Sequence, residues 1–168
     1  MTEQVKKLSI IAFSGDFDKL TAVFTLATGA ASVGYEVNLF FTFWGLDAIK
    51  KKLGRSPVGK GFLPKVFGIF MGGLKAAPVS RFNFAGISPK IFRYLMRKNN
   101  VATLEELVDA AKELGINFYA CEMAMLVLGL EKSDFIPEVK EVLGVVSFLE
   151  LSEGGKHCLF NYELKITN

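Results

Sequence analysis

Three short uncharged runs constrain this chain more than anything else in it: Leu-Ser-Ile-Ile-Ala-Phe at 8–13, Val-Asn-Leu-Phe-Phe-Thr-Phe at 37–43 and Ile-Asn-Phe-Tyr-Ala at 116–120. Brief β-branched and aromatic segments bounded by turn residues are the signature of strands buried on both faces, as in a parallel sheet. Such strands need crossover connections. The chain supplies helical spacing at 20–34, 89–98, 104–114 and 122–128, with Gly115 as a stop for the third of these. Residues 145–149 predict a fourth strand and 158–166 an edge strand. The expected architecture is α/β, with three layers (α/β/α), a mostly parallel sheet of about five strands and helices on both faces. At 168 residues, a single domain over 1–168 is expected.

Between residues 20 and 46 the sole charge is Glu36, and a hydropathy scan would flag part of this as a membrane span. The Ala, Thr and Gly content of the first half and the β-branched, aromatic second half fit a buried helix and strand instead. The apolar run after Met-Thr-Glu-Gln-Val-Lys-Lys is too short for a secretory signal core, so a cytoplasmic location is expected. Cys121 and Cys158 cannot build a disulfide framework, and with His157 they fall short of a four-ligand zinc site. A reducing interior, with no metal or organic cofactor, fits this content.

The net charge is only +3, but from Ala48 to Leu104 there are twelve Lys and Arg and no Asp or Glu. Six phenylalanines, among them Phe62, Phe67 and Phe70, are interleaved with these cations. This segment reads as a basic, apolar insertion after the second strand, spanning about 47–100. Its cations could face water, the acidic part of a neighbouring subunit, an acidic protein or an anionic membrane surface. They are too dispersed, and too far from any known recognition signature, to predict nucleic-acid binding.

Ligands of open parallel sheets bind beyond the carboxyl ends of the strands, which directs attention to three loops. The first is Ser14-Gly15-Asp16-Phe17-Asp18, where Asp16 or Asp18 is expected to cap the following helix. One glycine and two carboxylates disfavour phosphate groups there, and with them FMN, NAD and ATP. The Asp-x-Asp spacing also resembles haloacid-dehalogenase-type phosphatases, but Leu20 stands where that family has a small β-branched residue. The second loop carries Trp44, whose indole could wall a pocket. The third begins at Cys121, where a strand ends and a helix starts. Backbone N–H groups at such a junction favour thiolate, the form that attacks sulfur. A buried, inert cysteine is the alternative reading.

Together, Ser14-Gly15-Asp16-Phe17-Asp18-Lys19, Phe41-Thr42-Phe43-Trp44-Gly45-Leu46 and Phe118-Tyr119-Ala120-Cys121-Glu122-Met123 resemble the DsrE/DsrF-like family. More narrowly, they resemble its DsrE2-type branch, sometimes labelled peroxiredoxin-like. The likeness runs from Leu8 to about Leu151. It implies homo-oligomers and a sulfur-bearing cysteine, matched here by Cys121, that exchanges sulfane sulfur with rhodanese-like or TusA-like carriers. Glu122 departs from the pattern, since an uncharged polar residue is expected beside the cysteine, and a nearby anion opposes thiolate formation. The expected function is therefore a sulfur relay, in which Cys121 holds sulfur as a persulfide or thiosulfonate. Ser14, Gly15, Asp16, Trp44, Glu122 and Met123 are expected to line its pocket. One rival is a non-catalytic module that binds a protein complex or anionic membrane through the insertion. Another is a redox pair of Cys121 with Cys158.

Overall fold

The computed structural model of the chain describes residues 6–51, 74, 77–79 and 88–160. In order, these form β1 (Lys7–Ala12), α1 (Phe17–Ser32), β2 (Glu36–Phe41) and a 3-10 segment (Phe43–Ile49). There follow α2 (Ser88–Lys98), α3 (Leu104–Glu113), β3 (Asn117–Cys121), α4 (Glu122–Leu128), a 3-10 turn (Lys132–Asp134), β4 (Val139–Leu143), α5 (Val145–Leu151) and β5 (Lys156–Phe160). The five strands make one sheet in the order β4-β3-β2-β1-β5, and every neighbouring pair is parallel.

Strand residues point alternately to opposite faces, and the ring contacts show which helix covers which face. Phe24 of α1 lies 6.1 Å from Phe41 and 6.0 Å from Phe118 between ring centroids. Phe148 of α5 stacks on Phe40 at 4.4 Å and reaches Tyr119 at 6.4 Å. Since α3 packs beside α1, α1 and α3 cover one face and α5 the other, giving the expected three layers. On the α5 face, Asn117 donates to Asn38 across β3 and β2 at 2.9 Å. This polar pair works with the apolar alternation to fix strand register, because a one-residue slip would turn each set to the wrong side.

Several boundaries differ from the sequence expectation. Residues 145–149 are helical, and the fourth strand is Val139–Leu143 instead. Gly144 stands at the N-cap of α5, so the glycine separates β4 from the helix. β2 ends at Phe41, and Thr42 stands at the N-cap position of the 3-10 segment that follows, without a side-chain capping bond. Asp16 does occupy the N-cap of α1, but its carboxylate makes no capping hydrogen bond; it pairs with Lys19 Nζ at 2.8 Å. The edge strand starts at Lys156, and its expected continuation over 161–166 lies outside the described residues, as does most of the insertion.

α3 begins with a complete capping box. Thr103 Oγ1 accepts from the Glu106 backbone N–H, while Glu106 Oε2 accepts from the Thr103 N–H at 2.7 Å. Hydrogen bonding from Thr103, first through its backbone N–H and then through its side chain, holds the Glu106 carboxyl below its ordinary value. Thr103→Ala should lower stability by about 1 kcal/mol in urea titrations. A carboxyl whose folded pKa is depressed stabilises above its unfolded pKa and loses that contribution as pH falls through the folded value. The box therefore weakens below the ordinary glutamate range, and a Glu106→Gln variant should lose less stability than the parent on acidification.

Candidate functional site

The carboxyl rim of the sheet is built by interlocking the first two loops. At the end of β1, Phe13, Ser14 and Gly15 lead to Asp16, whose backbone N–H donates to Ser14 Oγ at 3.2 Å. At the end of β2, Thr42 N–H donates to Ala12 O, and Gly45 N–H donates to both Phe13 O and Thr42 O. Phe43 takes φ +46°, a left-handed conformation that costs a bulky residue about 1–3 kcal/mol unless its surroundings impose it. The Phe13 ring, 5.1 Å from that of Phe43, belongs to those surroundings.

Both glycines are required by the close approach of backbone. A Cβ on Gly15 would lie 2.7 Å from Trp44 O, and one on Gly45 would lie 2.0 Å from Ala12 O. The fold thus brings Ser14, Gly15, Asp16 and Trp44 into one group, with Trp44 44% exposed. Beneath them, Asp47 and Lys50 form a buried ion pair at 2.6 Å, with Lys50 only 2% exposed. Burial pushes the Asp47 carboxyl up, against the pull of the Lys50 ammonium. Sequence reading missed this pair: Asp and Lys three residues apart look like a solvent-facing pair, and only the approach of Phe135 and Ile136 to this segment encloses them.

Cys121, Glu122 and Met123 form a second group on the same rim. Cys121 is the last residue of β3, in register with Leu143 of β4, and it occupies the N-cap of α4. Its residue exposure is 1%, whereas Met123 is 50% exposed and Glu122 is exposed as well. The Glu122 carboxylate comes to 3.9 Å from where a Cβ on Gly144 would stand, so the β4–α5 junction belongs to the site. That neighbour was hidden from sequence reading by the misplaced fourth strand. Two positions before the cysteine, burial pushes the Tyr119 phenol up, and Glu36 and Glu141 add to the effect. The 3-10 segment joins the two groups, since it extends from the Trp44 loop and packs against both β3 and α4.

A cleft of about 450 Å³ lies elsewhere, between α2, α3 and the 3-10 segment, and none of the expected pocket residues lines it. Among the described residues, no cluster of three or more His, Cys, Asp or Glu is placed to hold a metal ion. The redox pair fails on topology within one chain. Cys158 is in register with Ile10 on β5, three strand spacings from β3, or roughly 14 Å, whereas a disulfide needs Cα atoms within about 7 Å.

A parallel α/β sheet with two interlocked strand-end loops and a cysteine closing the third strand defines a class of thiol-bearing domains. Residues 4–160 match the DsrE/DsrF/DrsH-like family, and the chain belongs to it. It is 42% identical over 161 residues to Uncharacterized protein YrkE of Bacillus subtilis, covering 95% of this chain and 99% of that protein. It is 34% identical over 160 residues to Sulfur carrier protein DsrE2 of Allochromatium vinosum, covering 92% and 98% respectively. The fold is shared with the crystal structure of the ychN protein from E. coli, at a TM-score of 0.51 and 12% identity over 93% of this chain and all of that one. Family and relative together support a general role in sulfur relay.

Proposed function

We propose that this protein carries sulfane sulfur on Cys121 and passes it to the thiol of a partner. The observation that carries the reading is the position of Cys121 at the end of β3, on the carboxyl rim of the sheet, in a chain alignable over nearly its whole length with a sulfur carrier. With thiosulfate as donor, the Cys121 thiolate attacks the outer sulfur. A new S–S bond forms, the donor's S–S bond breaks and sulfite leaves with the electron pair. With tetrathionate, the same attack leaves a thiosulfonate on the cysteine and releases thiosulfate. A partner thiolate then attacks the outer sulfur of the persulfide and restores the Cys121 thiolate.

Burial of Cys121 shapes this chemistry. A persulfide there is shielded from water and stray thiols, and both loading and unloading require the rim to open. The half-exposed Met123 and Trp44 are the side chains we expect to move, with Ser14, Gly15, Asp16 and Glu122 forming the rest of the pocket. The partners we propose are rhodanese-like or TusA-like carriers in a reducing cell interior. A second copy of the chain would cover the exposed Leu126 and Val127 of α4 and Val146 and Leu149 of α5.

The test is incubation of the reduced protein with thiosulfate, polysulfide or tetrathionate, followed by peptide mass spectrometry. A gain of about 32 Da, one sulfur atom, or a thiosulfonate adduct on the Cys121 peptide is expected. An unmodified Cys121 with every donor would remove the proposal, and an adduct confined to Cys158 would move the site to the edge strand.

A further inference from the structure

A row of polar side chains crosses the α5 face of the sheet. Ser9 of β1, Asn38 of β2 and Asn117 of β3 stand in register on neighbouring strands. The hydrogen-bond sense of the row is set from the sheet edge. An ammonium can only donate, and Lys140 Nζ donates to Asn117 Oδ1 at 3.3 Å. Asn117 therefore offers Nδ2 to its other neighbour, Asn38 Oδ1, at 2.9 Å. With its oxygen turned to β3, Asn38 directs Nδ2 to the opposite side, where β1 lies. Among the described residues, Asn38 Nδ2 has no partner there, and neither do the hydroxyl oxygens of Ser9 and Ser152. All three residues are 0% exposed. Ser152, the C-cap of α5, reaches this point because the helix runs back across the sheet from the carboxyl rim. Phe148 stacks on Phe40. One helical turn advances about 5.4 Å and two strand residues about 6.6 Å, so Ser152 overlies the level of Asn38 and Ser9. The chain then closes on β1, where a Cβ on Gly155 would lie 2.9 Å from Lys7 Cβ and 3.2 Å from Ser152 O.

We infer that Ser9, Asn38 and Ser152 together bind one water molecule beneath the C-terminal end of α5. The water accepts from Asn38 Nδ2 and donates to the two serine oxygens, which makes about three bonds, the usual number for a buried water. Three buried polar groups from three different elements are costly to leave unpaired, and one small molecule that both donates and accepts satisfies them together. The same donor set selects a neutral ligand. A cation would face the Asn38 N–H groups, and an anion would be buried without a charged side chain in the cluster to offset it. The bridge gives α5 a second hold on the sheet, since Phe148 is the one residue buried within the helix itself. No rim residue takes part, so the site stands apart from sulfur carriage on Cys121.

The experiment is a high-resolution crystal structure of the full chain, joined to a double-mutant cycle in urea. Density for one water at about 3 Å from Asn38 Nδ2, Ser9 Oγ and Ser152 Oγ is expected. A direct hydrogen bond from Asn38 Nδ2 to either serine with no water between them would overturn the proposal, as would a dry site. In the cycle, Ser9→Ala and Ser152→Ala should each lower the urea midpoint. Either change weakens the hold on the shared water, so the loss in the double variant should be clearly smaller than the sum of the two single losses. Additive losses would mean that the hydroxyls act separately, which also overturns the proposal. The structure of the parent protein decides the matter even where a variant fails to fold. Cys121→Ser should keep the water in place, so sulfur loading and this hydration site succeed or fail independently.

Discussion

Gly45→Ala should lower the stability of this protein by more than about 3 kcal/mol, beyond the usual cost of an overfilled core. The added methyl would stand 2.0 Å from the carbonyl oxygen of Ala12 and 2.8 Å from its carbonyl carbon. Both are backbone atoms of β1, a strand paired on each side, so no flexible side chain is available to give way. Relief requires the β2 loop to lift from the β1 loop, which breaks the hydrogen bonds from Gly45 N–H to Phe13 O and Thr42 O. Trp44 would move with it. Gly29→Ala is the control. In the exposed interior of α1, where nothing lies within 4 Å of the new methyl, the same change should stabilise by about 0.5–1 kcal/mol. Urea midpoints of opposite shift are expected, and a near-neutral Gly45→Ala would mean that the two loops are not locked together.

Lys50→Met should cost about 3–5 kcal/mol at neutral pH, the range found when one member of a buried ion pair is removed. It leaves the Asp47 carboxylate buried without its ammonium, and replacing both partners with Asp47→Leu and Lys50→Met should recover most of the loss. The pH dependence separates this cause from simple misfit. Burial already raises the Asp47 carboxyl, and loss of Lys50 raises it further. An acid raised in the folded state contributes stability below its unfolded pKa and loses it as pH rises through the folded value. The defect of Lys50→Met should therefore shrink in acid, grow as pH rises from the unfolded to the folded pKa of Asp47, and level off above it. A defect of constant size across that window would point to lost packing of the lysine stem.

The first three strands were legible to within a residue or two because a strand covered on both faces is apolar throughout. The short helix from Glu122 was legible too, and so was the seat of Cys121 at its start. β4 was not. Val-Lys-Glu-Val-Leu lies at the sheet edge with Lys140 and Glu141 exposed, so its composition is that of a surface loop. Val-Val-Ser-Phe-Leu looks like a strand, but only Phe148 is buried in α5, and the neighbouring valines face outward. Pattern cannot separate a brief apolar strand from a helix with one buried residue. The Asp47–Lys50 pair was out of reach for a related reason, since its burial comes from segments far along the chain. The grouping of Ser14, Gly15, Asp16 and Trp44 was legible because strand ends are where such folds gather side chains, whatever chemistry those side chains perform.

The strand order also has a bearing on biosynthesis. Leu8 lies opposite Lys156, so β1 leaves the ribosome well before β5 and obtains its second neighbour only when β5 emerges. Until then a strand destined for the interior presents a bare row of backbone donors and acceptors, to which another nascent chain could add. A premature stop within α5 would make that temporary state permanent. Its product should accumulate as insoluble aggregate even though the cysteine and every rim loop have already been translated.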